Sequence, residues 1–181
     1  GKNGAGKTTL IKMLIGLLNP TEGKAAVLGS DPLSNAVELR KRIGYVPEDQ
    51  RMYEWMKVSE ILEFTSAFYP ALESRDSKAS PGWDNKYAVE LLEKFQLDPK
   101  KKIKQLSRGM QAKVALTLAM AYNPELLILD DPTSGLDTVV RKEFLENIIE
   151  LLQKDNRTIF FSTHIINEVE RIADWVGIVD N

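Results

Sequence analysis

The chain has 181 residues, of which 43% are hydrophobic and 28% charged, so its length and composition suit one domain with a packed core. A net charge of −2 argues against a nucleic-acid-binding protein, because such domains usually carry a strongly positive surface. The absence of cysteine excludes a disulfide scaffold and a thiolate metal site and fits a reducing cytosol. No apolar run reaches the roughly 18 residues of a membrane span.

The first nine residues, GKNGAGKTT, match the phosphate-loop template G-x-x-x-x-G-K-[ST] through Gly1, Gly6, Lys7 and Thr8. In such a loop, backbone N–H groups and the N-terminus of the following helix bind the phosphates of a nucleoside triphosphate. The side chain of Lys7 is expected to reach the β- and γ-phosphates, and the hydroxyl of Thr8 to ligate Mg²⁺. Because a phosphate loop normally follows a strand, we interpret the sequence as a fragment without its N-terminal strands.

The apolar pattern predicts the elements that follow. In chain order these are a helix to Leu18, a strand at 24–28, a helix at 36–42, a strand at 43–46, a helix from 59 to about 68, a polar loop at 69–83, a helix at 85–95, a helix at about 108–122, a strand at 126–130, a helix at 139–155, a strand at 158–162, a helix at 166–172 and a strand at 175–179. Strands and helices alternate at both ends, whereas the middle is helical, which indicates an α/β fold with an inserted helical subdomain. We predict a core in two parts, 1–54 and 105–181, and a helical subdomain at 55–104.

The predicted strand LLILD ends in Asp130 and is followed directly by Asp131. Its apolar residues are typical of a buried parallel strand, and the carboxyl ends of such strands form the ligand crevice of α/β folds. We expect Asp130 to bind Mg²⁺, directly or through water, and Asp131 to orient or deprotonate the attacking water. A strand ending in a solvated acidic turn is the alternative, which the phosphate loop upstream disfavours.

Two further segments carry a family resemblance. One is LSRGMQ at 106–111, and the other is SGLD at 134–137, which is followed by Ser162-Thr163-His164 at the end of the next predicted strand. With these motifs in this order, the chain resembles the nucleotide-binding domain of ATP-binding cassette (ABC) transporters over essentially its whole length, with variants most like bacterial exporter-type systems. The resemblance implies a P-loop NTPase fold, with a RecA-like, mostly parallel sheet flanked by helices and an inserted helical subdomain. It also implies an ATPase that uses ATP and Mg²⁺ to drive transport.

The resemblance further implies a head-to-tail dimer with a second nucleotide-binding subunit, in which the phosphate loop of one subunit faces the LSRGM segment of the other. His164, the only histidine in the chain, would contact the γ-phosphate and the attacking water; a structural histidine is the alternative. The expected nucleotide-binding residues are Gly1, Asn3, Gly4, Gly6, Lys7, Thr8 and Thr9, with Ser107, Gly109 and Asp137 acting across the dimer. The expected metal ligands are Thr8, Asp130 and Glu48. The expected catalytic residues are Asp131, His164 and Glu48.

Three positions depart from the residues that are commonest in the family. Glu48 stands where glutamine is usual, and a carboxylate there could strengthen metal binding or weaken ATP binding when metal is scarce. Arg108 replaces a glycine, and its side chain either points to solvent or adds a cation near the neighbouring phosphate. Asp131 replaces the usual glutamate and is one methylene shorter. Because a displacement on the order of 1 Å can cost on the order of a hundredfold in rate, slow hydrolysis is an open alternative.

The apolar residues at 52–56, including Met52, Tyr53, Trp55 and Met56, follow Glu48 closely. In relatives this region lines a groove that receives a short helix of the membrane subunit, and core packing is the equal alternative. The resemblance thus implies an integral membrane permease as partner and a cytoplasmic location on the inner face of the cell membrane. Two other functions stay open: an ATP-dependent dimerisation switch with weak or no hydrolysis, and a soluble ABC protein that does not act in transport. An unrelated P-loop kinase would lack LSRGM.

Overall fold

The computed structural model describes residues 4–71, 82–155, 158–165 and 173–179. In chain order the elements are α1 (Lys7–Leu14), α2 (Ala36–Lys41), β1 (Ile43–Val46), α3 (Val58–Ser66), α4 (Asn85–Lys94), a 3₁₀ turn (Ile103–Gln105), α5 (Arg108–Met120), β2 (Leu126–Asp130), α6 (Thr138–Asp155) and β3 (Thr158–Ser162). The helix predicted at 166–172 lies outside the described residues.

The strands of the described residues form one parallel sheet in the order β1-β2-β3. Val46 of β1 pairs with Leu129, and Asp130 of β2 pairs with Ser162 of β3, so all three strands end at one edge of the sheet. Helix α1 packs against β2, while α2 and α5 contact β1. The predicted parallel sheet flanked by helices is therefore confirmed, and the chain segments that leave its carboxyl edge carry the acidic residues.

The central strand β2 is buried along its whole length because helices cover both faces of the sheet. Leu126 and Ile128 pack with Ile11 of α1 in the smaller core. Leu127 and Leu129 point to the other face and belong to the larger core. This alternation holds the strand in one register, and it fixes the position of the acidic residues at its end.

The middle of the chain packs into the same core as the sheet. Val58 of α3 and Leu91 of α4 belong to one buried cluster with Leu129 of β2 and Phe144 of α6. The elements of the described part of 55–104 are helical, apart from isolated bridges such as the one that pairs Lys57 with Lys102. The division of the chain at residues 54 and 104 remains a prediction. None of the helices in the described ranges combines the length and apolarity of a transmembrane span.

Two expectations near the N-terminus are wrong. Helix α1 ends at Leu14 and not at Leu18, because Gly16 adopts a left-handed φ of 69° and the N–H of Leu17 turns back to the carbonyl of Lys12 at 2.8 Å. The strand predicted at 24–28 does not form, since among the described residues Val27 pairs with Ser30 alone, across a tight turn. A strand needs a neighbour to receive its backbone hydrogen bonds, and the described residues place none beside this segment.

The strand predicted at 175–179 is also wrong. Residues 176–179 have no regular secondary structure, and Trp175 and Ile178 are 94% and 83% exposed. The apolar pattern alone indicated a strand, but within the described part of the chain no strand lies beside residues 175–179. The prediction failed because an apolar run does not supply a pairing partner.

Candidate active site at the carboxyl edge of the sheet

The described part of the phosphate loop leads directly into α1. Gly4 and Gly6 have φ values of 83° and 93°, and Gly6 caps the helix without a side-chain hydrogen bond. The unpaired N–H groups of a first helical turn, together with the helix dipole, favour binding of an anion. Lys7 and Thr8 are half-buried and Thr9 is exposed. Two other predicted residues, at positions 1 and 3 (Gly1 and Asn3), lie outside the described residues.

The acidic pair at the end of β2 is buried, with Asp130 1% and Asp131 5% exposed. The hydroxyl of Ser162 donates to Oδ1 of Asp130 at 2.7 Å, and Nδ1 of His164 lies 2.7 Å from Oδ2 of Asp131. The remaining oxygens, Oδ2 of Asp130 and Oδ1 of Asp131, are buried and have no hydrogen-bond partner among the described residues. Buried carboxylate oxygens are normally paired, so this arrangement favours a bound cation or an ordered water between the acids and their ligand.

The donor set fits Mg²⁺ shared with a polyphosphate. Mg²⁺ prefers oxygen ligands and usually combines one or two carboxylates with substrate phosphates and waters. Within the described ranges no group of three or more His, Cys, Asp or Glu residues could hold a metal ion by itself. The acidic pair therefore suits a metal that arrives with its nucleotide, and α1, which begins directly after the phosphate loop, packs against the strand that carries this pair.

The structure brings His164 and Glu48 to the same edge of the sheet by different contacts. His164 follows β3 and reaches Asp131, as described above, and its side chain is 36% exposed. Glu48 follows β1 and accepts a hydrogen bond from Ser134 at 3.2 Å, so it lies against the loop after Asp131. A contact of Glu48 with the metal remains a prediction. Burial and the negative charge of Asp130 raise the pKa of Tyr45 to about 12, so this phenol adds no charge near the acidic pair at neutral pH.

The sequence reasoning missed Ser162 as a site residue. The hydroxyl of Ser162 donates to Asp130 and also accepts the backbone N–H of Asp131 at 3.0 Å. Asp131 has a φ of 41°, an unusual value for a residue other than glycine. The sequence held one signal for it: the strands predicted at 126–130 and 158–162 have equal length, so aligning their ends places Ser162 opposite Asp130. The observed register has this pairing.

Ser107 and Asp137, both predicted to act across a dimer, cap neighbouring helices in this structure. Oγ of Ser107 accepts the N–H of Met110 at 3.3 Å at the start of α5. Oδ1 of Asp137 accepts the N–H groups of Val139 and Val140, each at 3.0 Å, at the start of α6. Each cap satisfies N–H groups that a helix leaves unpaired. Both residues are exposed, so the caps leave them available to a partner.

The two capped helix starts are packed closely together. A Cβ on Gly109 would lie 2.4 Å from Cγ1 of Val140, so a larger residue at this position would separate α5 from α6. A salt bridge of 2.6 Å between Lys113 and Glu143 joins the helices one turn further on. Gly109 therefore has a packing function in addition to its predicted contact with a γ-phosphate.

Arg108 is exposed to solvent, but its guanidinium group packs over Gly135 in the loop before α6. A Cβ on Gly135 would lie 2.2 Å from Nη1 of Arg108. The arginine thus connects the LSRGM segment with the SGLD segment inside one subunit. This contact adds an intramolecular role to the two alternatives that the sequence left open for its side chain.

We expect Gly135→Ala to destabilise the protein, because Gly135 has a φ of 73° and the new methyl group would overlap Arg108. The backbone strain and the overlap should each cost about 1 kcal/mol in the free energy of unfolding. Gly29→Ala is the matched control, since Gly29 has a φ of 76° and no atom of the described residues lies within 4 Å of an added Cβ. Urea unfolding should show that Arg108→Ala removes the excess cost at position 135. Equal costs at both glycines would contradict this interpretation.

Comparison with known proteins agrees with these motifs. The family model described as ABC transporter matches residues 1–134. The bacitracin transport ATP-binding protein BcrA of Bacillus licheniformis is 37% identical over 182 residues, which cover 99% of this chain and 56% of that protein. The chain spans about half the length of the curated relatives that it matches.

Solved structures show the same fold. One described as "Structure of ATP binding subunit of ABC transporter" has a TM-score of 0.77 at 32% identity, covering 96% of this chain and 70% of that one. Another, "Dimeric structure of a post-hydrolysis state of the ATP-binding cassette MJ0796 bound to ADP and Pi", has a TM-score of 0.75 at 27% identity, covering 93% of this chain and 74% of that one. The family predicted from the motifs is confirmed: the chain belongs to the ATP-binding proteins of ABC transporters and has their P-loop fold.

Proposed function

We propose that this chain binds ATP and, with Mg²⁺, hydrolyses it to energise transport by a separate membrane subunit. The observation that best supports hydrolysis is a pair of buried carboxylate oxygens, one on Asp130 and one on Asp131, for which the described part of the chain supplies no hydrogen-bond partner. They lie at the end of a strand that packs against the helix after the phosphate loop. The transport part is supported by family membership and by relatives such as BcrA, whose name describes a bacitracin transport ATP-binding protein.

Different residues of the site bind the phosphates, bind the metal and accept the proton. Lys7 holds the β- and γ-phosphates, together with the N–H groups at the start of α1. Thr8 and Asp130 would hold Mg²⁺, with Glu48 as a further candidate ligand, and the ion would supply charge neutralisation for the phosphates. Oδ1 of Asp131 accepts a proton from the water whose oxygen attacks the γ-phosphorus. The bond from that phosphorus to its bridging oxygen breaks, which gives ADP and inorganic phosphate.

The contact between His164 and Asp131 supports this assignment of roles. Because His164 engages Oδ2 of Asp131 at 2.7 Å, the carboxylate is held in one orientation and its other oxygen remains for the water. The exposed fraction of the His164 side chain also leaves room for contact with the γ-phosphate. We therefore assign His164 to the site as a residue that orients Asp131.

We infer that a second nucleotide-binding subunit completes the site in a head-to-tail dimer. Ser107 and the backbone of Gly109 would contact the γ-phosphate bound by the partner, and Asp137 would lie at the dimer interface. Ser107 stands at the N-terminus of the 13-residue helix α5, where an anion is favourable. A related cassette of this fold is described as dimeric with bound ADP and phosphate, which supports this arrangement.

We infer that the membrane subunit binds at a groove beside α3. The groove is an open cavity of about 510 Å³, lined by residues that include Met52, Tyr53 and Phe64. Tyr53 contacts Phe64 edge to face, and Trp55 lies next to Tyr53. Trp55 is 64% exposed, which argues against the alternative that it is a core residue. Exposed aromatic side chains suit a helix-binding groove, and docking there would hold the protein on the inner face of the membrane.

We expect Trp55→Ala to leave the basal ATPase activity of the isolated protein within about twofold and to weaken binding of the membrane subunit about thirtyfold, as for an aromatic interface residue worth about 2 kcal/mol. Trp175→Ala is the matched control, because Trp175 is 94% exposed and lies away from the groove residues in the sequence. Co-purification and stimulation of ATPase activity by the membrane subunit in lipid would measure the effect. Equal binding by both variants would exclude the groove.

A dimerisation switch with slow hydrolysis is the second candidate. It is favoured by the short side chain of Asp131, which has one methylene fewer than the glutamate usual in the family. In such a module ATP would join the two subunits, and hydrolysis would be too slow to drive repeated cycles. Two measurements separate the switch from the transport ATPase: the rate of hydrolysis in a single catalytic cycle and the extent of dimerisation driven by ATP. Dimerisation with very slow hydrolysis would indicate the switch.

A further inference from the structure

Ser162 connects the two acidic residues of the site through one hydroxyl group. It is the last residue of β3 and is 7% exposed. Its Oγ donates to Oδ1 of Asp130 at 2.7 Å and accepts the N–H of Asp131 at 3.0 Å. A serine hydroxyl has one hydrogen to donate and lone pairs to accept, so both bonds form at the same time.

The bond to Asp130 decides which carboxylate oxygen remains for a ligand. Because Oδ1 is occupied by the serine hydroxyl, Oδ2 is the buried oxygen that has no partner among the residues that the structure describes. A hydrogen bond of this kind also restricts rotation of the carboxyl group. Partners of metal-binding side chains act in the same way at other sites, where they orient the ligand and strengthen its binding.

The bond from Asp131 supports an unusual backbone conformation. Asp131 has a φ of 41°, and its N–H approaches both the hydroxyl and the carbonyl oxygen of Ser162, at 3.0 and 3.1 Å. Conformations of this kind persist when the surrounding structure holds them. Asp131 contacts His164 in this same backbone conformation. Ser162 therefore contacts both acids: it holds the carboxylate of Asp130 and the backbone of Asp131.

We propose that Ser162 is a positioning residue that orients Asp130 toward the metal and Asp131 toward the attacking water. The proposal rests on the ATPase function proposed above. Loss of the hydroxyl leaves Oδ1 of Asp130 buried without a partner, whereas the N–H of Asp131 retains the carbonyl of Ser162. Metal binding should therefore suffer more than binding of the nucleotide itself.

The test compares Ser162→Ala, Ser162→Cys and Ser162→Thr in the full-length protein. The alanine and cysteine variants should raise the Mg²⁺ concentration for half-maximal hydrolysis about tenfold, the low end of the effect expected for a residue that supports a metal ligand. In thermal unfolding, the rise in Tm with ATP and EDTA should persist, and most of the additional rise with Mg²⁺ should be lost. Ser162→Thr keeps the hydroxyl and should restore both responses.

Thr117→Val is the matched control, since Thr117 is fully buried and its hydroxyl donates to the carbonyl of Lys113, in the same helix α5, at 2.9 Å. This variant should lower Tm and leave the Mg²⁺ requirement unchanged. An unchanged Mg²⁺ requirement in both Ser162→Ala and Ser162→Cys would overturn the proposal, as would an equal change in Thr117→Val. A wild-type protein whose Tm does not respond to ATP would instead remove the proposed ATPase function.

Discussion

Replacing Lys7 by alanine is expected to abolish ATP binding by the full-length protein. Lys7 is the first residue of α1, where we expect its ammonium group and the N–H groups of the first turn to meet the phosphates. Charge-assisted hydrogen bonds to a buried polyphosphate contribute about 1.5–3 kcal/mol each, so the loss of two of them corresponds to a decrease in affinity of at least about a hundredfold. Isothermal titration with ATP would measure it.

Lys12→Ala is the matched control for this experiment. Lys12 lies in the last turn of the same helix and is exposed, so its removal changes the net charge equally without touching the phosphate loop. We expect this variant to bind ATP within about twofold of the wild type, because exposed charges at a distance are screened by salt. Normal ATP affinity in Lys7→Ala would remove the phosphate-loop assignment.

Replacing Asp131 by asparagine is expected to lower turnover about a hundredfold or more while ATP binding persists, since general-base catalysis typically contributes about 10²–10⁴-fold. Asparagine has nearly the same shape and still presents an acceptor to His164, but it cannot take the proton of the attacking water. ATP should then hold the dimer for longer. Rapid-quench hydrolysis and size-exclusion chromatography with ATP would measure the two effects.

Asp131→Glu is the matched variant that keeps the carboxylate. It restores the side-chain length that is usual in the family, and we expect it to raise turnover above that of the wild type. Equal or lower turnover would show that the shorter acid is already well placed by Ser162 and His164. A wild-type turnover no higher than that of Asp131→Asn would favour the dimerisation switch over the transport ATPase.

The sequence was sufficient for features that depend on neighbouring residues. The bounds of β1, β2 and β3 match the predicted ones, because each is a short apolar run. Strand β2 is buried throughout, whereas Thr158 and Phe160 of the edge strand β3 are exposed. The phosphate loop and the acidic pair were recognised for the same reason, since their chemistry is contained in a few consecutive residues.

Features that depend on distant residues were missed. The segments at 24–28 and 175–179 have strand-like composition, but pairing requires a neighbour that composition does not specify. The role of Ser162 depends on the register of β2 with β3, and the contact of Arg108 with Gly135 depends on how α5 packs against the loop before α6. Both contacts join residues far apart in the chain, which periodicity and motif spacing do not report.

A crystal structure of the full-length protein with Mn²⁺ and a slowly hydrolysed ATP analogue would show where the metal and the nucleotide bind. We expect an anomalous peak for the metal between the β- and γ-phosphates, at about 2.0–2.2 Å from the hydroxyl of Thr8. Oδ2 of Asp130 should reach the same ion directly or through one water, and Oδ1 of Asp131 should contact a water beside the γ-phosphate. A nucleotide bound with its metal away from both Thr8 and Asp130 would show that the acidic pair is not the metal site.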